Sequence, residues 1–269
     1  MAFVVRRSMG VRFGSQRMAE NYLFRPAYSK EVYDTLLGLM RDQPRTVLDA
    51  GCGPGKLTLG LVDRVDRIDA IDPSEEMLRV ARSLPKTDDL KIRWTCARAE
   101  DAELNGPYGL IVAGASIHWM DRDRVLPKFR DALSPGAFLA LLAGDAPIDP
   151  PWEADATDFM LDFLERREGK RPTWWGNATS LISSPILTHP AFERAGSLVT
   201  RPIQVSQSIH DFLRCEHSRA TWSEEILGER DSEEFDTRMT RILAPHANSG
   251  VLTYSMQTRI EWGMIRASA

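Results

Sequence analysis

The sequence of 269 residues predicts an α/β fold with a mostly parallel sheet and helices on both faces. Short apolar segments alternate with amphipathic ones between residues 46 and 144, and a glycine-rich turn follows the first apolar segment. After residue 145 the pattern changes to prolines and longer helical segments, which predicts helices inserted before the sheet is complete. Alternating strands and helices imply parallel strands joined by right-handed crossovers.

The first half of the chain contains five predicted strands. A helix that begins after Ser29 precedes them, because apolar residues recur there at helical spacing. The predicted strands are TVLDA, RIDAIDP, KIRWTCA, YGLIVAGAS and the apolar run after SPG. The helices between them are GKLTLGLVDRV, SEEMLRVARSL and RDRVLPKFRDAL. The fourth strand is almost wholly apolar, as expected for a strand that is buried on both faces.

The last part of the chain is expected to complete the sheet and to form a lid. GSLVTRPIQVSQS and GVLTYSMQTRIEWGMI are predicted as two long strands, one of them antiparallel to its neighbour. The inserted helices would cover the ligand edge of the sheet. The sequence therefore predicts a seven-stranded sheet and three segments: a helical cap (1–44), a ligand-binding core (45–145) and the completion of the sheet with its lid (146–269).

The overall composition excludes several classes of protein. A net charge of −4 with 43% hydrophobic and 27% charged residues describes a globular protein and gives no basic surplus for binding nucleic acid. The three cysteines form no metal-ligand or disulfide pattern, so we expect no metal. No apolar run approaches ~20 residues and no secretory signal is recognisable, so we expect no membrane insertion. We expect a cytoplasmic enzyme-like protein that is a monomer or a homodimer.

The turn after the first strand has glycines at alternate positions, Gly51, Gly53 and Gly55. Glycine permits positive φ and lets a ligand approach the main chain. The Walker A pattern is excluded because Lys56 is followed by Leu57, which has no hydroxyl group for a magnesium ion. The dinucleotide pattern G-x-G-x-x-G is not met either, because Lys56 stands where the third glycine belongs. An NAD-dependent oxidoreductase is therefore a competing hypothesis only.

Acidic residues near the strand ends select among the possible ligands. Asp49 precedes the glycine turn and can accept a hydrogen bond from an ammonium group. Asp72 ends the second strand, where a carboxylate can accept two hydrogen bonds from a ribose diol. After the third strand, the small side chains of Ala97 and Ala99 leave room for a purine, and Glu100 or Asp101 can accept from its exocyclic amine. An ammonium group, a ribose and an adenine without a diphosphate describe S-adenosylmethionine (SAM).

Five segments resemble, in the correct order, the motifs of class I SAM-dependent methyltransferases. They are VLDAGCGPGKLT, IDAIDPSEEML, ARAEDAEL, GLIVAGASIHWMD and LSPGAFLALL. The resemblance implies a Rossmann-like fold, SAM as the cofactor and S-adenosylhomocysteine as its product. One departure is Arg98, which stands where relatives often carry an acid. The cofactor site implied by these motifs consists of Asp49, Gly51, Cys52, Gly53, Gly55, Asp72, Pro73, Met77, Ala99, Glu100 and Ser116.

Two further segments, NYLFRPAY and ASIHWMD, resemble the trans-aconitate-type, or type 11, small-molecule methyltransferases. This resemblance implies that Tyr22, Arg25 and Tyr28 fold over the cofactor, with Tyr28 also at the substrate. It also implies that Ser116, His118 and Trp119 face the transferred methyl group. A hydroxyl or amine acceptor needs a general base, for which His118 is the candidate. A carboxylate acceptor needs only a cation to position it, and Arg25 would supply one.

Three tryptophans in the inserted region, Trp152, Trp174 and Trp175, either line an apolar substrate pocket or form the core of the lid. The expected function is methyl transfer from SAM to a small molecule, through a carboxylate or hydroxyl oxygen or through an amine. The alternatives are an acyl-carrier-bound acid or a quinone precursor as acceptor, and a SAM-binding protein of this fold with another role. Transfer RNA is disfavoured by the negative charge.

Overall fold

The computed structural model describes residues 15–41, 44–86, 90–144, 146–172 and 184–267. Within these residues, seven strands form the main sheet in the order β3-β2-β1-β4-β5-β9-β6. All neighbours are parallel except β9, which runs antiparallel to both β5 and β6. The predicted seven-stranded, mostly parallel sheet is therefore confirmed. Its strands are β1 Thr46–Ala50, β2 Arg67–Asp72, β3 Ile92–Cys96, β4 Tyr108–Gly114, β5 Leu133–Ala143, β6 Phe192–Val199 and β9 Arg259–Ile265.

Each of the two long strands predicted near the end of the chain is divided into two shorter ones. The later half of the first, β7 (Ile203–Ser208), and the earlier half of the second, β8 (Val251–Met256), pair antiparallel in a separate two-stranded sheet. Pro202 lies at the first break, where it has no N–H group to donate to a ladder. The two breaks are joined, because Thr200 N donates to Thr258 O and Thr258 N donates to Thr200 Oγ1, both at 2.9 Å.

Helices cover both faces of the main sheet. Along β1, Val47 belongs to the apolar cluster on one face and Leu48 to the cluster on the other, as the strand period of two requires. Leu36 packs on the first face and Phe129 on the second. None of the helices in the described residues is long and apolar enough to cross a membrane. The helices are α1 Gln16–Asn21, α2 Lys30–Leu39, α3 Lys56–Leu61, α4 Glu75–Arg82, α5 Arg122–Ala132, α6 Glu153–Glu168, α7 Ser184–Leu187, α8 Ile209–His217, α9 Glu224–Leu227 and α10 Glu229–Leu243.

A third apolar cluster lies in the lid, which we define as α6, α8, α9, α10, β7 and β8. At its centre, the rings of Phe163, Trp222 and Phe235 have centroids 5.0–6.2 Å apart. The lid therefore has its own aromatic core, separate from the clusters on the main sheet. The division of the chain into the segments 1–44, 45–145 and 146–269 stays a prediction.

Residues 15–29, which we call the strap, connect the main sheet to the lid. Met18 packs in a small apolar cluster with Met77 of α4. On the other side, Gln207 Nε2 donates to the carbonyl oxygen of Phe24 at 2.6 Å. Further polar contacts between the strap and the lid are Ser15–Glu225, Arg17–Glu224, Asn21–Arg214 and Arg25–Ser218.

Candidate active site

A cavity of about 1100 Å³, open to solvent, lies at the carboxyl ends of β1, β2 and β4. The turns after these strands form one part of its wall, residues 98–100 after β3 another, and the strap a third. The position agrees with the rule that ligands of open α/β sheets bind beyond the carboxyl ends of the strands.

Two glycines shape the turn after β1. Gly51 and Gly53 both have positive φ, at +72° and +54°. A Cβ atom on Gly51 would lie 2.5 Å from the Cβ of Ser116, so glycine lets the ends of β1 and β4 approach each other. A Cβ on Gly53 would meet no atom within 4 Å. At Gly53 the bare backbone therefore faces open space in the cavity wall.

Asp49, the fourth residue of β1, lines the cavity although it is only 1% exposed. Its Oδ2 accepts a hydrogen bond from Thr58 Oγ1 at 2.7 Å. Its Oδ1 has no hydrogen-bond partner among the described residues. Burial raises the pKa of Asp49 to about 7, although the hydrogen bonds from Thr58 oppose this shift. A buried oxygen without a hydrogen-bond partner lowers the stability of the folded protein, and a cationic donor on a ligand would offset that cost.

Asp72 ends β2 and holds the glycine turn in place. Its Oδ2 accepts from Gly53 N at 2.8 Å, and its Oδ1 accepts from Ser74 N at 2.9 Å. Burial raises the pKa of the Asp72 carboxyl, and these two backbone hydrogen bonds oppose the shift. Each carboxylate oxygen has a second lone pair, so both can also accept from the hydroxyl groups of a ribose. The sequence did not indicate the contact with Gly53.

The turn after β3 forms the far wall of the cavity. Glu100 is only 7% exposed. Its Oε1 accepts from the backbone N–H of Asp121 at 2.7 Å and from Arg98 Nη2 at 3.1 Å. The charge of Arg98 is therefore paired with the neighbouring acid.

Comparison with known proteins agrees with this geometry. Residues 47–136 match the family model of a methyltransferase domain. An uncharacterized methyltransferase of Mycobacterium tuberculosis is 40% identical over 140 residues, which are 51% of this chain and 54% of that protein. The chain contains a class I methyltransferase domain. This confirms the resemblance found in the sequence.

Similarity in fold covers almost the whole chain, whereas similarity in sequence covers about half of it. A trans-aconitate 2-methyltransferase of Azoarcus sp. is 35% identical over 127 residues, 45% of this chain and 48% of that protein. The solved structure of a candidate type II methyltransferase from Anaeromyxobacter dehalogenans has a TM-score of 0.65 at 23% identity, over 91% of this chain and 99% of that one. The chain spans about half the length of the curated relatives it matches.

The residues of the methyltransferase domain fit SAM. Asp49 offers a carboxylate oxygen without a partner, which suits an ammonium group. Gly53 offers backbone without a side chain, and Asp72 has lone pairs for a diol. Among the described residues, no group of three or more His, Cys, Asp or Glu side chains is placed to hold a metal ion.

Most of the predicted site residues line this cavity. Gly55 does not line it: its φ is +83°, and a Cβ there would lie 2.7 Å from the Trp94 ring. Gly55 therefore lets the turn after β1 pack against β3, and its predicted contact with the cofactor stays a prediction. The predicted residues that line the cavity are Tyr22, Arg25, Tyr28, Asp49, Gly51, Cys52, Gly53, Asp72, Pro73, Met77, Ala99, Glu100, Ser116 and Trp119.

Of the three predicted site residues in the turn after β4, two line the cavity and one does not. Ser116 Oγ donates to the carbonyl oxygen of Ala50 at 2.6 Å, so it joins the ends of β4 and β1 while lining the cavity. Trp119 also lines the cavity, whereas His118 is not in its wall. The centroid of the His118 ring lies 4.7 Å from that of Trp119. A catalytic role for His118 stays a prediction.

The tryptophans of the inserted region do not form the cavity wall. Trp152 is 3% exposed, and its ring packs edge-on against Phe212 and Tyr254 at 5.9 and 6.1 Å. Trp152 therefore packs in the core of the lid, the second of the two roles that the sequence left open, and a role in binding substrate stays a prediction. Trp174 and Trp175 lie outside the described residues.

The strap fixes one cation of the cavity wall, Arg25. Its guanidinium carbon lies 3.8 Å from the Tyr22 ring centroid. Its Nε donates to Ser218 Oγ at 2.7 Å and its Nη2 to Ser218 O at 3.1 Å. The sequence gave no indication of Ser218 as the partner. A second cation, Lys56, was used in the sequence only to reject other ligands, although its position next to the glycine turn could have identified it as a cavity residue.

Proposed function

We propose that the protein transfers a methyl group from SAM to a small-molecule acceptor. The acceptor atom is a carboxylate or hydroxyl oxygen, with an amine as the further option. The observation that carries this proposal is the buried Asp49 Oδ1, which has no partner among the described residues and lines the cavity. An ammonium group is the donor that this oxygen suits, and SAM presents one beside its ribose and adenine.

The chain's contribution is to hold and align the two reactants. Asp49 would hold the ammonium group, Asp72 the ribose, and Ala99 with Glu100 the adenine. When bound, SAM supplies an electrophilic methyl group on its sulfonium sulfur. Aligning such a group with an acceptor is a large part of the rate enhancement that an enzyme can provide.

The strap would limit the access of water to the reacting groups. Tyr22, Arg25 and Tyr28 place aromatic and guanidinium groups along the cavity wall. The contact of Arg25 with Ser218, which is 0% exposed, holds this wall against the lid. Limiting the access of water strengthens the electrostatic interactions between the protein and a bound ligand.

Calorimetry on the purified protein tests the proposal. SAM and S-adenosylhomocysteine should bind, and NADH should bind more weakly than either. Incubation of SAM with a panel of small carboxylic acids, alcohols and amines should yield S-adenosylhomocysteine by mass spectrometry. Tighter binding of NADH than of SAM would refute the proposal, and so would an absence of binding by both SAM and its product.

A further inference from the structure

A buried serine at the end of α8 accepts two hydrogen bonds from the guanidinium group of Arg25. Ser218 directly follows α8 and is 0% exposed. Its Oγ accepts from Arg25 Nε at 2.7 Å, and its carbonyl oxygen accepts from Arg25 Nη2 at 3.1 Å. The same Oγ donates its own proton to the carbonyl oxygen of Cys215 at 2.5 Å, which leaves its lone pairs for Arg25. Ser218 therefore presents two acceptors in a fixed arrangement.

The position of Ser218 at the end of a helix favours a cation. The last carbonyl groups of a helix have no partner within it, and the C-terminus carries about half a negative charge. Arg25 brings both donors and a positive charge to this end of α8. Its planar guanidinium group can donate to two acceptors at once, whereas the ammonium group of a lysine is a point charge without this geometry. The contact therefore selects both the side chain and its orientation.

The same contact fixes part of the cavity wall. Arg25 uses its edge, Nε and Nη2, for Ser218, and its guanidinium carbon lies over the Tyr22 ring, 3.8 Å from the centroid. Arg25 and Tyr22 both line the cavity. A residue of the lid that does not itself line the cavity thus determines where a cation and an aromatic ring of its wall lie.

The neighbouring residues of the strap are held by the same face of α8. Arg214 is four residues before Ser218, a spacing that places both on one side of the helix. Arg214 Nε donates to Asn21 Oδ1, and its guanidinium carbon lies 4.6 Å from the centroid of the Phe24 ring. The lid therefore contacts the strap on both sides of Tyr22 as well as at Arg25.

We infer that Ser218 is a positioning residue of the cofactor site, which acts through Arg25 and makes cofactor affinity depend on the lid. The inference rests on the proposed function. An arginine side chain has many rotamers, and ordering it costs conformational entropy. Since Ser218 orders Arg25 before the ligand binds, the ligand does not have to provide this free energy. Without the Ser218 hydroxyl group, part of the cost falls on the binding of the cofactor.

Calorimetry with S-adenosylhomocysteine tests the inference. Ser218→Ala should weaken binding roughly three- to tenfold, the cost of ordering one long side chain. Ser223→Ala is the matched control, because Ser223 is also 0% exposed, lies between α8 and α9, and its Oγ has no hydrogen-bond partner among the described residues. If S-adenosylhomocysteine fails to bind the natural chain, the proposed function fails. If it binds, but Ser218→Ala stays within about twofold of the natural chain, this inference alone fails.

A double-mutant cycle separates positioning from a general effect on the lid. Arg25→Met keeps a long side chain and removes the guanidinium group, so it should weaken binding more than Ser218→Ala does. In the Arg25→Met background, Ser218→Ala should cause a further loss of less than about twofold, because no guanidinium group is left to position. Losses that multiply in the double variant, or natural affinity in Arg25→Met, would overturn the inference.

Thermal melting checks folding and gives a second readout. The coupling between two contacts is reciprocal, so S-adenosylhomocysteine should raise the melting temperature of the natural chain more than that of Ser218→Ala at the same ligand concentration. Equal shifts would contradict the coupling. If Ser218→Ala does not fold, Ser218→Cys replaces it in both experiments, because its thiol is of similar size and is a weak acceptor.

Discussion

The Asp72 carboxylate accepts the backbone N–H of Gly53 at 2.8 Å. This contact joins the end of β2 to the turn after β1, so one side chain both shapes the glycine turn and faces the cavity. A substitution at Asp72 therefore affects the ligand in two ways, directly and through the conformation of the turn.

Asp72→Ala should weaken binding of S-adenosylhomocysteine at least 10-fold, because hydrogen bonds to charged groups contribute about 1.5–3 kcal/mol each. The affinity of Asp72→Asn for S-adenosylhomocysteine should lie between those of the natural chain and of Asp72→Ala, since the Asn side chain retains one acceptor oxygen. The measurement is calorimetry, with thermal melting to confirm folding. Asp63→Ala is the control, because Asp63 is exposed and pairs with Lys86. An affinity of Asp72→Ala within twofold of the natural chain would contradict the role of Asp72.

Asp49 should make binding of the cofactor depend on pH. Burial raises its pKa to about 7, and a ligand ammonium group favours the ionised form. Binding below pH 7 should therefore release a proton, and affinity should rise by up to about tenfold per pH unit until pH 7. Asp49→Asn should bind more weakly and show a much smaller slope. Calorimetry of S-adenosylhomocysteine binding at several pH values, in buffers of different ionisation enthalpy, measures both the affinity and the number of protons released.

The same group has the opposite effect on the free energy of unfolding. The folded pKa of Asp49, about 7, lies above the value near 3.9 of an unfolded aspartate. Between these values the folded protein holds a proton that the unfolded chain has lost. The stabilising contribution is therefore complete below about pH 4 and is lost as pH rises to 7. The free energy of unfolding of the ligand-free natural chain is measured relative to that of Asp49→Asn. An increase of this difference from about pH 4 to about pH 7 would contradict the raised pKa of Asp49.

The two glycines of the turn should respond differently to the same substitution. Gly53→Ala should fold with a loss of roughly 1–2 kcal/mol for its left-handed backbone, because no atom lies within 4 Å of the added Cβ. Its affinity for S-adenosylhomocysteine should nevertheless fall, since the methyl group occupies the cavity wall. Gly51→Ala should lose more stability, because its Cβ would lie 2.5 Å from that of Ser116. Denaturant melts and calorimetry separate the two effects, and equal stability losses would contradict the geometry.

The sequence was most informative where neighbours along the chain determine structure. Asp49 and Asp72 were identified because a strand end and a glycine turn are local patterns. Arg25 was identified as a cavity residue, but its partner Ser218 is 193 positions away, and no local pattern specifies such a contact. Trp152 was ambiguous because an aromatic residue suits both a pocket and a core, and only packing against Phe212 decides between them.

His217 should make the lid less stable as pH rises above neutrality. Its Nδ1 lies 2.6 Å from the carbonyl oxygen of Trp222 and its Nε2 2.8 Å from Asp236 Oδ1, so both nitrogens face acceptors and both must donate. Burial lowers the pKa of His217, but the hydrogen bonds to Asp236 and Trp222 and the charge of Glu224 outweigh it and raise the pKa above its usual 6.5.

The stability from this raised pKa is complete below pH 6.5 and is lost as pH rises through the folded value. The melting temperature should therefore fall with pH above neutrality more steeply in the natural chain than in His217→Gln. His210→Gln is the control, because His210 is exposed beside Asp211. Identical pH profiles for the natural chain and His217→Gln would show that the imidazole is not charged in the folded protein.

His118→Ala should reduce the turnover of a carboxylate acceptor by less than about tenfold, far below the roughly 10²–10⁴-fold contribution of a general base. The reason is that a carboxylate has no proton to lose, and that Trp119, not His118, lines the cavity. The pH profile of kcat should show no group near 6.5 that disappears in this variant. Trp119→Ala is the comparison, because removal of its ring opens the cavity wall and should raise KM for the acceptor. A loss of 100-fold or more in His118→Ala, with a matching change in the pH profile, would mean that the acceptor is deprotonated by His118 and that it is a hydroxyl or an amine.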